Sequence, residues 1–462
     1  MRILLVAYDS GMFIHMFPMG LGYIASALQK AGYDVEIYSQ DKYHYPESHL
    51  KNYLDRNHFD IVGLSMVAGY YQYQKIQKIS NAINSSKNRP YYILGGHGPA
   101  AEPDFFLKKT QADAIVIGEG EQTIIELLEK LGAKTGHKDV KGIAYVQDGK
   151  VVVNERRPLI SDIDNIPWPA YSSFPMDYYA LLRYANCSPT EYLVGMLTGR
   201  GCKYKCNFCY RMDEGQRIRS NEAIIEEMRY LIKEFGATYF NFIDELLMVS
   251  EERTMSLCED FIKASLNVRW ACAGRLNYAK PKVLDLMKRA GCDFIDFGIE
   301  SLDDKVLATM QKGLTVSQIV KGVENVLTSG ISPGLNLLFG HIGDKRENFF
   351  KAVDFLLKYS DGSQNRTIRP VTPYPGSPLY YYAIEKGLLK DCEDFYENKH
   401  VNSDLVSVNF TDMTDHEIHE MLFEGNNKLV ENYFRIQAKN TIAAARKLYI
   451  EGDVSFRGFR KY

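Results

Sequence analysis

Three cysteines fall within eight residues, Cys202, Cys206 and Cys209 in RGCKYKCNFCYR, whereas Cys187, Cys258, Cys272, Cys292 and Cys392 are scattered. Thiolates spaced this way on a loop can converge on one compact metal centre. On a four-iron–four-sulfur (4Fe-4S) cluster, three thiolates leave one iron without a protein ligand. That open position can bind and activate a substrate. The competing reading is structural zinc, with Cys187 or a distant histidine as fourth ligand. Zinc sites more often match one Cys-x2-Cys pair with a second, and the sequence holds no second pair. The spacing favours the cluster.

Elements able to position such a loop are legible on both sides of it. Before residue 135, RILLVAY, DVEIYS, IVGLSM, YYILGG and AIVIGEGE predict strands, and amphipathic stretches such as GLGYIASALQKAG lie between them. Five strands with intervening helices predict a doubly wound, Rossmann-like parallel sheet of flavodoxin-like order. KGIAYVQDGKVVVNERRP reads as a β-hairpin turning at Asp148-Gly149, and DIDNIPWPAYSSFP as an interdomain linker. From Tyr192 the alternation restarts with YLVGMLT, TYFNFID, RWACAGR, FIDFGIE, GLNLLFG and RTIRPV. Six such units predict a partial (β/α)6 TIM-type barrel, with functional groups at the strand C-termini. The expected division is 1–135, a hairpin and linker over 136–187, the partial barrel over 188–387 and a mainly helical region over 388–462. That last region is expected to cover one barrel end and complete the substrate cavity.

Composition narrows the class. The chain has 462 residues, 45% hydrophobic and 24% charged, with a net charge of −3. This is a globular balance with nothing to suggest nucleic acid as a partner. No stretch approaches the roughly 20 apolar residues of a membrane span, and the N-terminus lacks a signal-peptide pattern. Widely spaced cysteines suit a reduced, cytoplasmic protein.

At Cys202, Cys206 and Cys209 the chain resembles the radical S-adenosylmethionine (SAM) superfamily, whose signature is Cys-x3-Cys-x-aromatic-Cys; Phe208 fills the aromatic position. The resemblance runs from Tyr192 to Pro378. It implies that the amino and carboxylate groups of SAM chelate the open iron. An electron from the reduced cluster, supplied by a donor such as flavodoxin or ferredoxin, then releases a 5′-deoxyadenosyl radical. Asp244 and Glu245 in FIDEL stand where the family carries Gly-Gly-Glu for the SAM amino group. By the same resemblance Arg275 would pair with the SAM carboxylate, and Glu300 and Ser301 would hold its ribose and methionine parts. Gly340 and Ile342 would meet the adenine. Each such residue is also an ordinary barrel salt-bridge or packing residue in other proteins.

Upstream, MFPMGLGYIASALQKAGYDVEIY, ILGGHGPAAEP and AIVIGEGEQTIIELL resemble the cobalamin-binding domain that precedes the barrel in many radical SAM enzymes. The resemblance implies cobalamin over the strand ends, beside Ser65, Gly95, Gly96, His97, Gly118, Glu119 and Gly120. No GxGxxG follows the first strand, so a dinucleotide is disfavoured. The Asp-x-His-x-x-Gly motif that supplies a cobalt ligand is absent; Asp41 to His44 comes nearest and lacks the glycine. Cobalamin without a protein ligand to cobalt is therefore expected, with His15 and His97 as possible neighbours.

Together these features imply methylation of an unactivated carbon of a small-molecule, lipid or glycan precursor. One SAM would charge cobalamin with a methyl group and a second would supply the radical. The alternatives are rearrangement or cyclisation with the same cofactors, and, in another class, a non-catalytic metal-binding protein. No catalytic acid or base is identifiable from the sequence.

Overall fold

Runs too apolar to face water on either side build the first sheet, as parallel strands covered on both faces require. The structure, a computed structural model, describes residues 1–184 and 186–456. Its first sheet comprises β1 (Arg2–Ala7), β2 (Asp34–Ser39), β3 (Ile61–Ser65), β4 (Tyr91–Gly95), β5 (Ala114–Val116), β6 (Ile143–Gln147) and β7 (Lys150–Val153), in the order β2-β1-β3-β4-β5-β6-β7. The first five are parallel, and β6 and β7 add an antiparallel edge beside β5. The hairpin turns at Asp148 and Gly149, both with positive φ, as a two-residue loop demands. It extends the first sheet instead of standing between domains. Helices Met19–Lys30 and Gly120–Gly132 pack on one face; Glu47–Arg56, Tyr70–Asn84 and Pro103–Thr110 pack on the other.

The proline-rich segment is docked. Ala170 N–H donates to Gly22 O at 2.9 Å, and Phe17 stacks on Tyr171 with ring centroids 5.2 Å apart. Its apolar side chains share one core with the first sheet and with the helices that follow.

The second sheet starts at β8 (Leu193–Met196) and is interrupted by an antiparallel ribbon, β9 (Gly199–Cys202) and β10 (Gly215–Ile218). It resumes with β11 (Tyr239–Phe242), β12 (Arg269–Gly274), β13 (Cys292–Glu300), β14 (Ser332–Phe339) and β15 (Arg369–Pro370). These six lie in sequence order, all parallel, with β8 and β15 as edges, so the barrel is partial.

The C-terminal region departs from expectation. Helix Asp415–Glu451 lies along helix Arg346–Tyr359 on the outside of the barrel. Asn426 bonds both the N–H and the C=O of Ile368, at 2.8 and 2.9 Å, beside the edge strand β15. It buttresses that edge and does not cover the strand C-termini. Residues 392–399 reach back to the first domain: Tyr396 stacks on Tyr73 at 4.6 Å, and Lys109 pairs with Glu393 and Glu397 at 2.7 Å each. Among the described residues no helix is long and apolar enough to cross a membrane.

The buttress helix approaches closely because residue 425 has no side chain; a Cβ there would meet Phe349 at 2.5 Å and Val353 at 2.8 Å. Gly425→Val is expected to cost about 1–3 kcal/mol, read as a lowered urea midpoint. The exposed control Lys428→Ala should move stability by less than about 0.5 kcal/mol.

Candidate active site

The C-terminal end of the first sheet and the ends of β8 and β11 in the second meet across a cavity of about 460 Å³ that opens to solvent. The first sheet contributes Leu5 and Gly63 to Ser65, at the β1/β3 switch point where doubly wound sheets bind ligands. All seven residues assigned to cobalamin from sequence, Ser65, Gly95, Gly96, His97, Gly118, Glu119 and Gly120, line this cavity. Gly96 has φ +93, and a Cβ there would run into the Met66 carbonyl. At Gly118, φ +84, a Cβ would meet nothing within 4 Å and would take up cavity space. Small residues at three strand ends, Ser65, Gly95 with Gly96, and Gly118 with Gly120, let a bulky ligand such as a corrinoid approach the backbone.

The barrel side contributes Leu197, Gly199 to Cys202, Tyr210 to Gly215, Arg217, Ile243 and Glu245. Glu245 accepts from Gly201 N–H at 3.2 Å, next to Cys202. Asp244 does not reach the cavity. Its carboxylate is buried and accepts from Thr198 N–H at 2.9 and 3.1 Å and from Thr198 Oγ1 at 3.1 Å, tying the end of β8 to that of β11. Burial pushes its pKa up to about 7 against those hydrogen bonds. Of the FIDEL pair, only Glu245 lines the cavity.

The cysteine loop lies over the ends of β12 to β14. Cys202 is half-buried on β9, Cys206 is buried, and Phe208 is half-buried at the turn before Cys209. Burial raises the Cys206 thiol against the pull of Lys312 and Arg275. Cys209 keeps an exposed surface yet sits deep enough that burial, then Cys206 and Glu300, push its thiol up to about 12. Thiols so disfavoured as free thiolates suit a metal centre that supplies the missing positive charge. Among the described residues no three His, Cys, Asp or Glu side chains already form a mononuclear metal site. Cys187 packs with Leu193, Tyr239, Ala271 and Phe294 towards the opposite end of the sheet, which removes it as a fourth zinc ligand.

Arg275, ending β12, lies over the Tyr204 ring at 3.5 Å. Its Nη2 donates to Lys312 O at 2.6 Å and Gly313 O at 3.1 Å, and its Nε to Asn277 at 3.3 Å. Nη1 makes no hydrogen bond among the described residues. Glu300 ends β13 in a left-handed conformation, φ +68, and pairs with Lys312 Nζ at 2.8 Å. The neighbouring Ser301 is buried. Gly340 and His341 N–H both donate to Asp344 at 3.0 Å, shaping the turn that bears Ile342.

Sequence reasoning missed the residues that tie these parts together. Asn207, inside the cysteine motif, receives a hydrogen bond from His341 Nε2 at 3.0 Å and donates Nδ2 to Thr309 O at 2.9 Å. That second bond orients the amide, so the His341 proton sits on Nε2. The position of Asn207 between Cys206 and Cys209 was the available signal; Lys312 carried none.

Two family profiles match the chain: a B12 binding domain over residues 14–128 and the Radical SAM superfamily over 196–356. An uncharacterized methyltransferase of Pyrococcus horikoshii is 30% identical over 377 residues, covering 80% of this chain and 79% of that protein. The chain belongs to the cobalamin-dependent radical SAM methyltransferase family. It is also similar to the anaerobic magnesium-protoporphyrin IX monomethyl ester cyclase of Rubrivivax gelatinosus, 25% identical over 82% of this chain and 68% of that one. In fold it resembles the radical SAM methyltransferase TsrM from Kitasatospora setae, with a TM-score of 0.66 at 17% identity, covering 83% of this chain and 75% of that one.

Burial pushes the His341 pKa down to about 4 from an ordinary 6.5, so the folded chain holds it neutral. The unfolded chain binds that proton first on acidification, so stability falls between pH 6.5 and 4 and returns as pH rises. Urea titrations across this range should show that His341→Gln flattens the slope by up to about 1.4 kcal/mol per pH unit. His400, also pushed down to about 4 by burial, keeps its share in both proteins. An unchanged slope would show that His341 does not titrate in this way.

Proposed function

We propose that this protein methylates an unactivated carbon of a small-molecule, lipid or glycan precursor, using a 4Fe-4S cluster, SAM and cobalamin. The observation that carries this reading is the single cavity running from the glycine loops of the first sheet to Cys202 and Glu245. A methyl carrier and a radical source must both reach one substrate carbon, and one chamber allows it. An unactivated carbon has no lone pair with which to attack SAM directly, so a polar transfer would stall.

In this reading the cluster supplies an electron for cleavage of SAM, and cobalamin supplies a transferable methyl group. Cys202, Cys206 and Cys209 hold three irons. Glu245 receives the SAM amino group, and the uncommitted Nη1 of Arg275 faces its carboxylate. Glu300, oriented by Lys312, and Ser301 meet the ribose and methionine parts, with Gly340 and Ile342 at the adenine. Ser65 and the loops around Gly95, Gly96, His97, Gly118 and Gly120 would receive the corrinoid. Phe208 lies beside SAM, and Tyr210, which lines the cavity, shields the reacting atoms from water. The electron comes from a flavodoxin or ferredoxin. We place the reaction in the cytoplasm, where eight free cysteines would stay reduced.

Product analysis separates the readings. Anaerobically reconstituted protein, given SAM, cobalamin and reduced flavodoxin, should form 5′-deoxyadenosine, and Cys206→Ala should bring this to background. With substrate, methyl transfer yields one S-adenosylhomocysteine for each 5′-deoxyadenosine. 5′-Deoxyadenosine without S-adenosylhomocysteine would assign a rearrangement or cyclisation, the chemistry named for the Rubrivivax relative. Neither product would overturn the radical reading.

A further inference from the structure

The ribbon that carries Cys202 has four residues in each strand. Two-stranded ribbons of this length are marginal alone. Its register sets Arg200 directly opposite Arg217. Directly paired residues of an antiparallel ribbon share a face, and like charges placed there repel. Both guanidiniums are largely withdrawn from water, 18% and 19% exposed, so solvent screens little of that repulsion.

The first domain supplies what separates them. Glu119 accepts from Arg200 Nη1 at 2.8 Å and from Arg217 Nη1 at 2.9 and 2.8 Å, and Glu121 accepts from Arg200 Nη2 at 2.5 Å. The carboxylates are more buried than the arginines, at 10% and 9% exposed. Ile160 closes the arrangement: its N–H donates to Glu119 at 2.8 Å and its carbonyl accepts from Arg217 at 2.7 Å. Burial alone would raise the Glu119 carboxyl, but hydrogen bonds from Arg217, Ile160 and Arg200 hold it below its ordinary range. Two cations and two anions thus form a neutral set across the domain boundary.

We propose that Glu119 and Glu121 are positioning residues for the cysteine ribbon: they separate two opposed arginines and so fix where Cys202 stands relative to the glycine loop. The first domain then completes the cluster site, and the GEG loop works in two directions. Gly118 opens to the cavity, while the carboxylates turn into the ribbon. Glu119, placed among the cobalamin contacts by sequence, has no acceptor capacity left for a corrinoid amide. This inference rests on Cys202 being a cluster ligand.

The test compares the full-length protein with Glu119→Gln and with Glu119→Gln/Arg217→Gln, which removes one opposed cation together with the carboxylate. Glu119→Gln should raise hydrogen exchange in 199–202 and 215–218 by about 10-fold or more. It should also lower iron per chain and alter the electron paramagnetic resonance spectrum of the reduced cluster. The double variant should recover exchange protection, iron content and spectrum, and the cobalamin dissociation constant should stay within about 3-fold in both. Loss of cobalamin with an unaltered ribbon would make Glu119 a corrinoid contact and overturn the proposal. So would a double variant as damaged as the single one, or no effect in either. If the wild type takes up no iron, the reading of Cys202 fails, while the exchange data still decide the clamp.

Discussion

The cysteine loop has almost no regular structure between β9 and β10, and the hydrogen bonds of Asn207 give it a fixed shape. Its N–H donates to Met310 O at 3.0 Å and its carbonyl accepts from Leu379 N–H at 2.8 Å. Its side chain bonds Thr309 and His341. Every polar group of this one residue is therefore satisfied, by segments that follow β13, β14 and β15. A loop held from three sides cannot slide on one barrel wall without breaking bonds to another. Ligands to a multinuclear centre must stay within a fraction of an ångström of one geometry, and a loop acquires that rigidity only from its surroundings.

Strain lies beside this knot. Glu300 adopts a left-handed backbone where the pairing of β13 with β14 shifts register between Gly298 and Glu300. A non-glycine residue in that region costs on the order of 1–3 kcal/mol and persists only where surrounding contacts impose it. The Lys312 ion pair is such a contact, and it aims the carboxylate towards the loop whose Cys209 thiol it disfavours.

The sequence showed the features whose information is local. Thirteen strands were readable because each is a short apolar or alternating run between turn formers, and the cysteine triplet because its spacing is itself the signal. The glycine loops were readable for the same reason, and all of them reach the cavity. What failed was non-local. Asp244 and Glu245 are neighbours with the same chemistry, yet Thr198, 46 residues before Asp244, holds that one buried while Glu245 lines the cavity. The β9–β10 ribbon is invisible because GRGC and GQRI have neither the length nor the alternation of a strand; only their pairing makes them one. The terminal helix was expected, but its docking depends on a missing side chain at 425 meeting Phe349, which no periodicity reveals.

Parallel sheets bind ligands beyond their strand C-termini, because loops there are free to vary while the core beneath stays packed. A chain with two such sheets could place these ends anywhere. Here the docked linker, sharing the core of both sheets, and residues 392–399, stacked on the first domain, hold the two ends face to face. Each end alone is a surface open to water. Opposed, they line one cavity that runs from the glycine loops of the first sheet to Cys202 and Glu245. The join between domains is therefore part of the chemistry: change the angle of the sheets and each site survives while the chamber does not.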